Sequence, residues 1–286
     1  MKGLNQLLAL VCLLFLATGH ASAMATGTDE VFNKLLARYV VASADRVNRV
    51  DYKSWKANTS DHMRLKSYIG DLEARVPSKM ARAEAFAYWA NLYNAVTLDV
   101  VLDKYPIASI RQISSDGFFD PKAYGGPWRT KRVRVEGKDY SLDDIEHGVL
   151  RPTFGDPRVH YAVNCASFGC PNLQPKAWSA KSLETDLNAA ARDFINHSRA
   201  VTMLPTDRPG LSAFLNAFKE PSTSRPLRVS SIFRWFREDF GGSDAGIIEH
   251  LRKYAAPDLA AALGPGVAIS EDDYDWSLND ATRTTQ

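Results

Sequence analysis

The sequence predicts an α+β fold, a mostly helical single domain in which a central buried helix packs on a small antiparallel sheet. Three observations carry this. From Ala81 to Leu102 the residues Phe86, Ala90, Tyr93, Thr97 and Val101 recur at steps of three and four, and the segment is apolar on most sides, as in a helix with no face left for water. Arg132 to Val135 and Lys138 to Tyr140, joined at Glu136-Gly137, read as a hairpin. Elsewhere helical segments dominate and strand-like ones are scattered, and no repeat of about 20 to 50 residues appears that would make the chain a solenoid or a propeller.

Taken in order, Asp29 to Ala42 reads as a first helix with Val31, Leu35, Leu36, Tyr39 and Val40 on one side. Val50-Asp51-Tyr52 reads as a short extended piece and Met63 to Ala74 as a second helix. Pro106 lies beyond the central helix and fits a stop. Within that helix Asn91 and Asn94 share a stripe with Ala87, Leu98 and Val101, where a buried amide must find partners. Asp116 to Trp128 is rich in glycine, proline and aromatics and reads as a long loop. Ser141 is placed to cap a helix, with Asp144 completing a capping-box-like pattern; that helix carries Glu146 and His147 and is closed by Pro152. Arg158 to Asn164 (RVHYAVN) reads as a strand, followed by a tight turn from Cys165 to Pro171. Further helices are expected at Leu183 to Ile195, at Ser231 to Phe240 with Gly241-Gly242 behind it, and at Ala245 to Tyr254.

Both ends of the chain carry their own signals. Lys2 precedes the apolar run Leu7 to Ala17, which is shorter than the ~20 residues a membrane span needs, and Ala21-Ser22-Ala23 follows as a small-x-small cut site. Residues 1–23 are therefore expected to be a secretory signal peptide cleaved after Ala23, residues 24–280 one globular domain, and residues 281–286 a loose tail. The mature chain would be periplasmic or secreted, with no integral membrane segment. Of 35 Lys and Arg only Lys2 leaves with the leader, so 34 stand against 33 Asp and Glu, and no broad field favours nucleic acid. Apolar residues at 45% and aromatics at 10% imply a sizeable packed core.

Once Cys12 is lost with the leader, Cys165 and Cys170 are the cysteines that remain. In an oxidising compartment such a pair is either a small disulfide loop or the seat of a reactive thiol.

Several strings now occur in a fixed order: Phe86-Ala87-Tyr88-Trp89-Ala90-Asn91-Leu92-Tyr93-Asn94-Ala95, Tyr105-Pro106, Ser141-Leu142-Asp143-Asp144-Ile145-Glu146, Asp156-Pro157-Arg158-Val159-His160, and Asn164-Cys165-Ala166-Ser167 with Cys170-Pro171. Trp235-Phe236, Asp239-Phe240 and Tyr274-Asp275-Trp276 follow as weaker echoes. The chain resembles the domain of unknown function 547 family, known from bacteria and from plant proteins in which it adjoins coiled-coil regions, with a motif core at 86–171. The resemblance implies that Asn91, Glu146, His160, Asn164, Cys165 and Cys170 are positions of interest. The chain is also distantly similar to papain-like and transglutaminase-like domains, which pack a buried helix against a histidine-bearing sheet. Those domains usually place the nucleophilic cysteine at the start of that helix, and the comparable helix here has no cysteine.

Thiol catalysis needs a thiolate, a base within hydrogen-bond reach and a group that orients the base. Cys165 as nucleophile, His160 as base and Glu146 or Asn91 as orienter fill these roles, and Asn91 or Asn94 could instead hold an oxyanion. If the segment is a regular strand, positions 160 and 165 face opposite sides, so it must end or bulge near Asn164. The bland alternatives are a core histidine, structural amides, and Glu146 paired with Arg151 or Arg158. Zinc binding by His160, Cys165, Cys170 and Glu146 matches no standard spacing, and no cofactor is expected. Two functions follow: a thiol-dependent hydrolase or acyltransferase acting on a small-molecule or peptide-like amide substrate, or a non-catalytic periplasmic binding or scaffold module stapled by a Cys165–Cys170 disulfide.

Overall fold

The computed structural model describes residues 29–113, 126–205 and 225–283. The expected signal peptide and most of the expected loop at Asp116 to Trp128 lie outside them. A first helix, α1, covers 29–39 and stops where Val40–Val41 (β1) pairs with Arg49–Val50 (β2). Two helices follow, Tyr52–Ala57 (α2) and Thr59–Glu73 (α3), each started by a side chain that accepts a backbone N–H: Asp51 from Ser54, and Asn58 from Asp61.

The central helix α4 runs from Arg82 to Lys104, and from Phe86 to Leu102 every residue but Asp99 is buried. Asp99 is half-buried and binds His62 at 2.8 Å and Lys66 at 2.7 Å, which ties α4 to α3. The expectation that α4 packs on an antiparallel sheet needs correction. Its neighbours are chiefly α2, α3 and the Glu146 helix, and it touches the hairpin through Trp89 against Tyr140 (ring centres 5.1 Å apart).

That hairpin, Val133–Val135 (β3) and Lys138–Tyr140 (β4), turns at Glu136 and Gly137, whose φ values of 48° and 80° suit a two-residue turn. Ser141 and Asp144 then cap each other, Ser141 N–H to Asp144 Oδ2 at 2.7 Å and Asp144 N–H to Ser141 Oγ at 3.1 Å. The helix they start is a π-helix, Asp144–Leu150, and Pro152 does not close it. Arg151 N–H bonds five residues back to the Glu146 carbonyl, and on this shifted ladder the helix continues as α5, Arg151–Phe154, until Gly155 at φ 54° ends it.

The segment expected as a strand is also different. Val159–Ala162 is a helical turn, α6, buried on every residue. Asp156 accepts the Arg158 N–H at 2.9 Å and Pro157 sets the turn in place. A short run buried throughout has no periodicity by which helix and strand differ.

Helix α7, Leu183–Ile195, leads to Val201–Met203 (β5) and then to Arg225–Ser230 (β6). Ser231–Trp235 (α8), Asp244–Tyr254 (α9) and Pro257–Ala262 (α10) carry the chain over to Val267–Asp273 (β7). The resulting sheet is mixed rather than antiparallel: β5 pairs antiparallel with β6, whereas β7, arriving through a helical crossover, pairs parallel with it. The class is α+β. No helix among the described residues is long and apolar enough to cross a membrane.

The C-terminal segment positions the site. It passes the cysteine loop with Phe168 N–H on Ser277 O at 2.7 Å, Gly169 N–H on Asp275 O at 2.8 Å and Asn279 N–H on Ala166 O at 3.1 Å, then bridges to Val50 through Asp280. Beyond Asp280, Ala281 N–H binds Val50 O at 2.9 Å and Arg283 binds Asp275 at 2.9 Å; the rest of the expected tail lies outside the described residues.

Candidate functional site

Asn164 shapes the cysteine loop. Its Oδ1 accepts the Ala166 N–H at 2.9 Å, its Nδ2 donates to Pro171 O at 2.8 Å, and its own N–H donates to Asn94 Oδ1 at 2.8 Å. Ala166 is thereby held at φ 60°, in the left-handed region a side chain rarely adopts, and the strain lies between Cys165 and Ser167. Asn94 also donates to Ala162 O at 2.9 Å, so its amide clamps the chain on both sides of Val163.

Cys165 and Cys170 are free thiols, the first half-buried and the second buried, so no disulfide staples the loop. Two hydroxyls serve both sulfurs. Tyr274 Oη lies 3.2 Å from Cys165 Sγ and 3.0 Å from Cys170 Sγ, and Ser167 Oγ lies 3.1 and 3.4 Å from the same two atoms. The Cys165 backbone N–H donates to Cys170 Sγ at 3.1 Å. Burial opposes a thiolate, but the hydrogen bonds converging on Cys170 outweigh it and pull that thiol below its ordinary value. Cys165 is pushed up, because its hydrogen bond to Cys170 and its burial both favour the proton staying on. The pair therefore titrates as one unit.

The imidazole expected beside the sulfur is elsewhere. His160 Nε2 is 2.7 Å from Asp239 Oδ2, and Nδ1 faces Glu146 Oε1 at 3.7 Å. Its ring stacks on Phe236 with centres 4.2 Å apart. Neither nitrogen reaches a sulfur. This corrects the expected Cys165–His160 dyad and makes Asp239 the residue that orients the histidine. Arg151 binds both Asp239 oxygens, at 2.6 and 3.1 Å, and so is paired with Asp239 rather than with Glu146. Asn91 is not an orienter either: its amide closes a two-bond ring on the Trp178 backbone, both bonds 2.9 Å long.

Burial pushes Glu146 up and His160 down, while the adjacent carboxylate alone favours the imidazolium. A neutral His160 donating from Nε2–H to Asp239 leaves the Nδ1 lone pair toward Glu146, which further disfavours a charged carboxylate there. Tyr93 joins this group to the sulfurs. Its hydroxyl hydrogen-bonds Glu146 and lies in the field of both cysteines. From outside, the neighbours Trp235 and Phe236 cover the two halves, Trp235 on Tyr274 with ring centres 4.8 Å apart and Phe236 on His160. Asp239, Tyr93, Ser167 and Tyr274 are the site residues that sequence reasoning missed. All four stood in the quoted motif strings, which was the available signal.

Residues 77–195 match the family model described as Protein of unknown function, DUF547. This segment is similar to the DUF547 family. The matched DUF547 segment contains α4, the π-helix, the cysteine loop and α7, whereas Asp239 and Tyr274 come from beyond it and complete the geometry. No curated protein matches the chain, and no solved structure does.

Proposed function

We propose that this protein is an exported thiol-dependent hydrolase or acyltransferase acting on a peptide-like or amide substrate, and that Cys165 and Cys170 work as a pair. The observation that carries the reading is the shared set of donors, with Tyr274 and Ser167 hydroxyls contacting both sulfurs and the Cys165 N–H on Cys170. Donors of this kind favour one negative charge on the pair. Cys165 is the less buried residue of the pair, and we assign it as the nucleophile.

In the reaction the Cys165 sulfur attacks the substrate carbonyl carbon while its proton passes to the Cys170 thiolate, which takes the place expected for the imidazole. The tetrahedral oxyanion is met by the hydroxyl donors, and the leaving amine collects the proton from Cys170 as the C–N bond breaks. Water, or an acceptor nucleophile in acyl transfer, then cleaves the thioester. Its proton returns to Cys165, so the pair ends as it began.

A second reading is supported by the same contacts. The two thiols hydrogen-bond each other directly, and oxidation of such neighbours would bridge them and make the loop a stapled binding module. Mass spectrometry after iodoacetamide treatment of the native protein, with and without reductant, separates the two. Labelling of Cys165 without reductant, abolished in Cys165→Ser, is the expected result. A mass two units low with no label until reduction would overturn the enzyme reading.

A further inference from the structure

Beside the cysteine loop, with Phe168 in its wall, lies a cavity of about 880 Å3. Ser167 turns its hydroxyl to the sulfurs, and the next residue, Phe168, lines the cavity. Four arginines wall it: Arg49, Arg199, Arg228 and Arg283. Phe168 steadies two of them, with the guanidinium groups of Arg49 and Arg283 lying 5.3 and 4.1 Å from its ring centre.

The acids in the wall are already engaged. Asp45 gives both oxygens to Arg49, at 2.8 and 2.5 Å, and Asp280 accepts the Thr282 N–H at 2.9 Å and the Tyr105 hydroxyl. Arg283 is held by Asp275 at 2.9 Å. Arg199 and Arg228, by contrast, have no carboxylate within ion-pair distance among the described residues. Arg199 donates from Nη2 to Asn172 Oδ1 at 2.8 Å, while its Nε and Nη1 are buried without a partner. The Nε of Arg49, a residue only 3% exposed, is likewise unpartnered. Buried donors without acceptors are costly; these three nitrogens are closed to water, so Arg199 and Arg49 must turn toward the cavity to meet an anion, whose oxygens a guanidinium fork matches. Arg228 stands on β6 between the core residues Leu227 and Val229, so it projects to the cavity side of the sheet.

We propose that this cavity is a binding site for a small molecule carrying a phosphate or carboxylate group, held by Arg199 and Arg228 with Arg49 behind them. Its volume suits a metabolite-sized ligand. The site uses none of the groups that hydrogen-bond the sulfurs, although Arg199 lies in the field of Cys170.

The test is calorimetric titration of the purified protein at low ionic strength, with inorganic phosphate and, separately, with succinate. Saturable binding of one ligand per chain, weakened by added sodium chloride, is the expected result. Binding of phosphate alone, succinate alone or both assigns the anion class. Arg228→Gln and Arg199→Gln should each lower the affinity about tenfold or more, and Arg134→Gln, on the exposed hairpin, should leave it unchanged. No saturable heat with either anion overturns the proposal. So does binding that both cavity variants leave intact, or that Arg134→Gln weakens equally.

Discussion

His160 Nε2 lies 2.7 Å from Asp239 Oδ2, across 79 positions of sequence, and this contact rather than one to a cysteine fixes the imidazole. Because Arg151 grips the same carboxylate, Asp239 holds together α5, α6 and the turn after α8. The carboxylate lies well below its ordinary range, pulled down by His160 and Arg151 against its partial burial.

Asp239→Asn keeps the shape and removes the charge. The hydrogen bonds lost or weakened are to charged groups, so urea denaturation should report a loss of about 1.5–3 kcal/mol. The His160 titration, followed by 15N resonance, should move further down, since Asp239 is what favours its protonated form. An imidazole that titrates higher in the variant would contradict the assignment.

Tyr274→Phe removes a hydroxyl that touches Cys165, Cys170 and Ser167 and little else of the side chain. The first ionisation of the thiol pair should rise, so iodoacetamide labelling at neutral pH should slow while the melting temperature changes little. Ser167→Ala should act in the same direction. A labelling profile that stays in place in both variants would remove the hydroxyls as the cause.

Asn91→Ala separates structure from chemistry within the matched segment. Both polar groups of the Trp178 backbone would lose their partner in the core, at a cost of about 1–3 kcal/mol each where no water enters. The thiol labelling profile should stay where it is. A shift of that profile at unchanged stability would restore Asn91 to the reacting group.

Where the signal lay within one element, the sequence was legible. The spacing through Phe86, Ala90 and Tyr93 marks α4, Glu136-Gly137 marks the hairpin turn, and Ser141 with Asp144 marks a helix start. What it could not carry was any relationship set by packing. The His160 turn is buried on all sides, so nothing in VHYA separates helix from strand. The π-helix puts Glu146 against Tyr93 through a backbone shift that leaves no residue pattern of its own. Asp239 and Tyr274 reach the site only because α8 and the C-terminal segment return to it, and Ser167 looked like one more turn residue.

Acid should destabilise the protein in a window that the histidines define. Burial, helped by Lys253, pushes His250 down to about 4, and its Nε2 is paired with the Tyr161 hydroxyl at 2.7 Å. His160 and His197 are shifted down as well. Between the ordinary histidine value of about 6.5 and the folded value, the unfolded chain binds protons that the folded chain refuses, so stability falls as pH drops through that interval. The melting temperature should decline from pH 7 towards pH 4, and His250→Gln, which keeps an acceptor for Tyr161, should make the decline shallower. An unaltered slope would show that His250 does not contribute.

Gly169→Ala tests how the C-terminal segment delivers Tyr274 to the sulfurs. A Cβ at Gly169 would lie 2.9 Å from Asp275 N, 3.0 Å from Asp275 O and 3.0 Å from the Tyr274 ring. Two of these atoms are backbone, so relief requires the segment itself to move away from the cysteine loop. Moving it withdraws the hydroxyl shared by Cys165 and Cys170, so the melting temperature should fall and the thiol titration should rise together, as they do not in Tyr274→Phe. Gly148→Ala is the control: the nearest atom to its new Cβ is 4.0 Å away on an exposed helical face, and about 0.5–1 kcal/mol of helix propensity should be gained with no change at the thiols. If Gly169→Ala leaves both readouts at their original values, the close approach at Asp275 is not what sets the tyrosine on the sulfur pair.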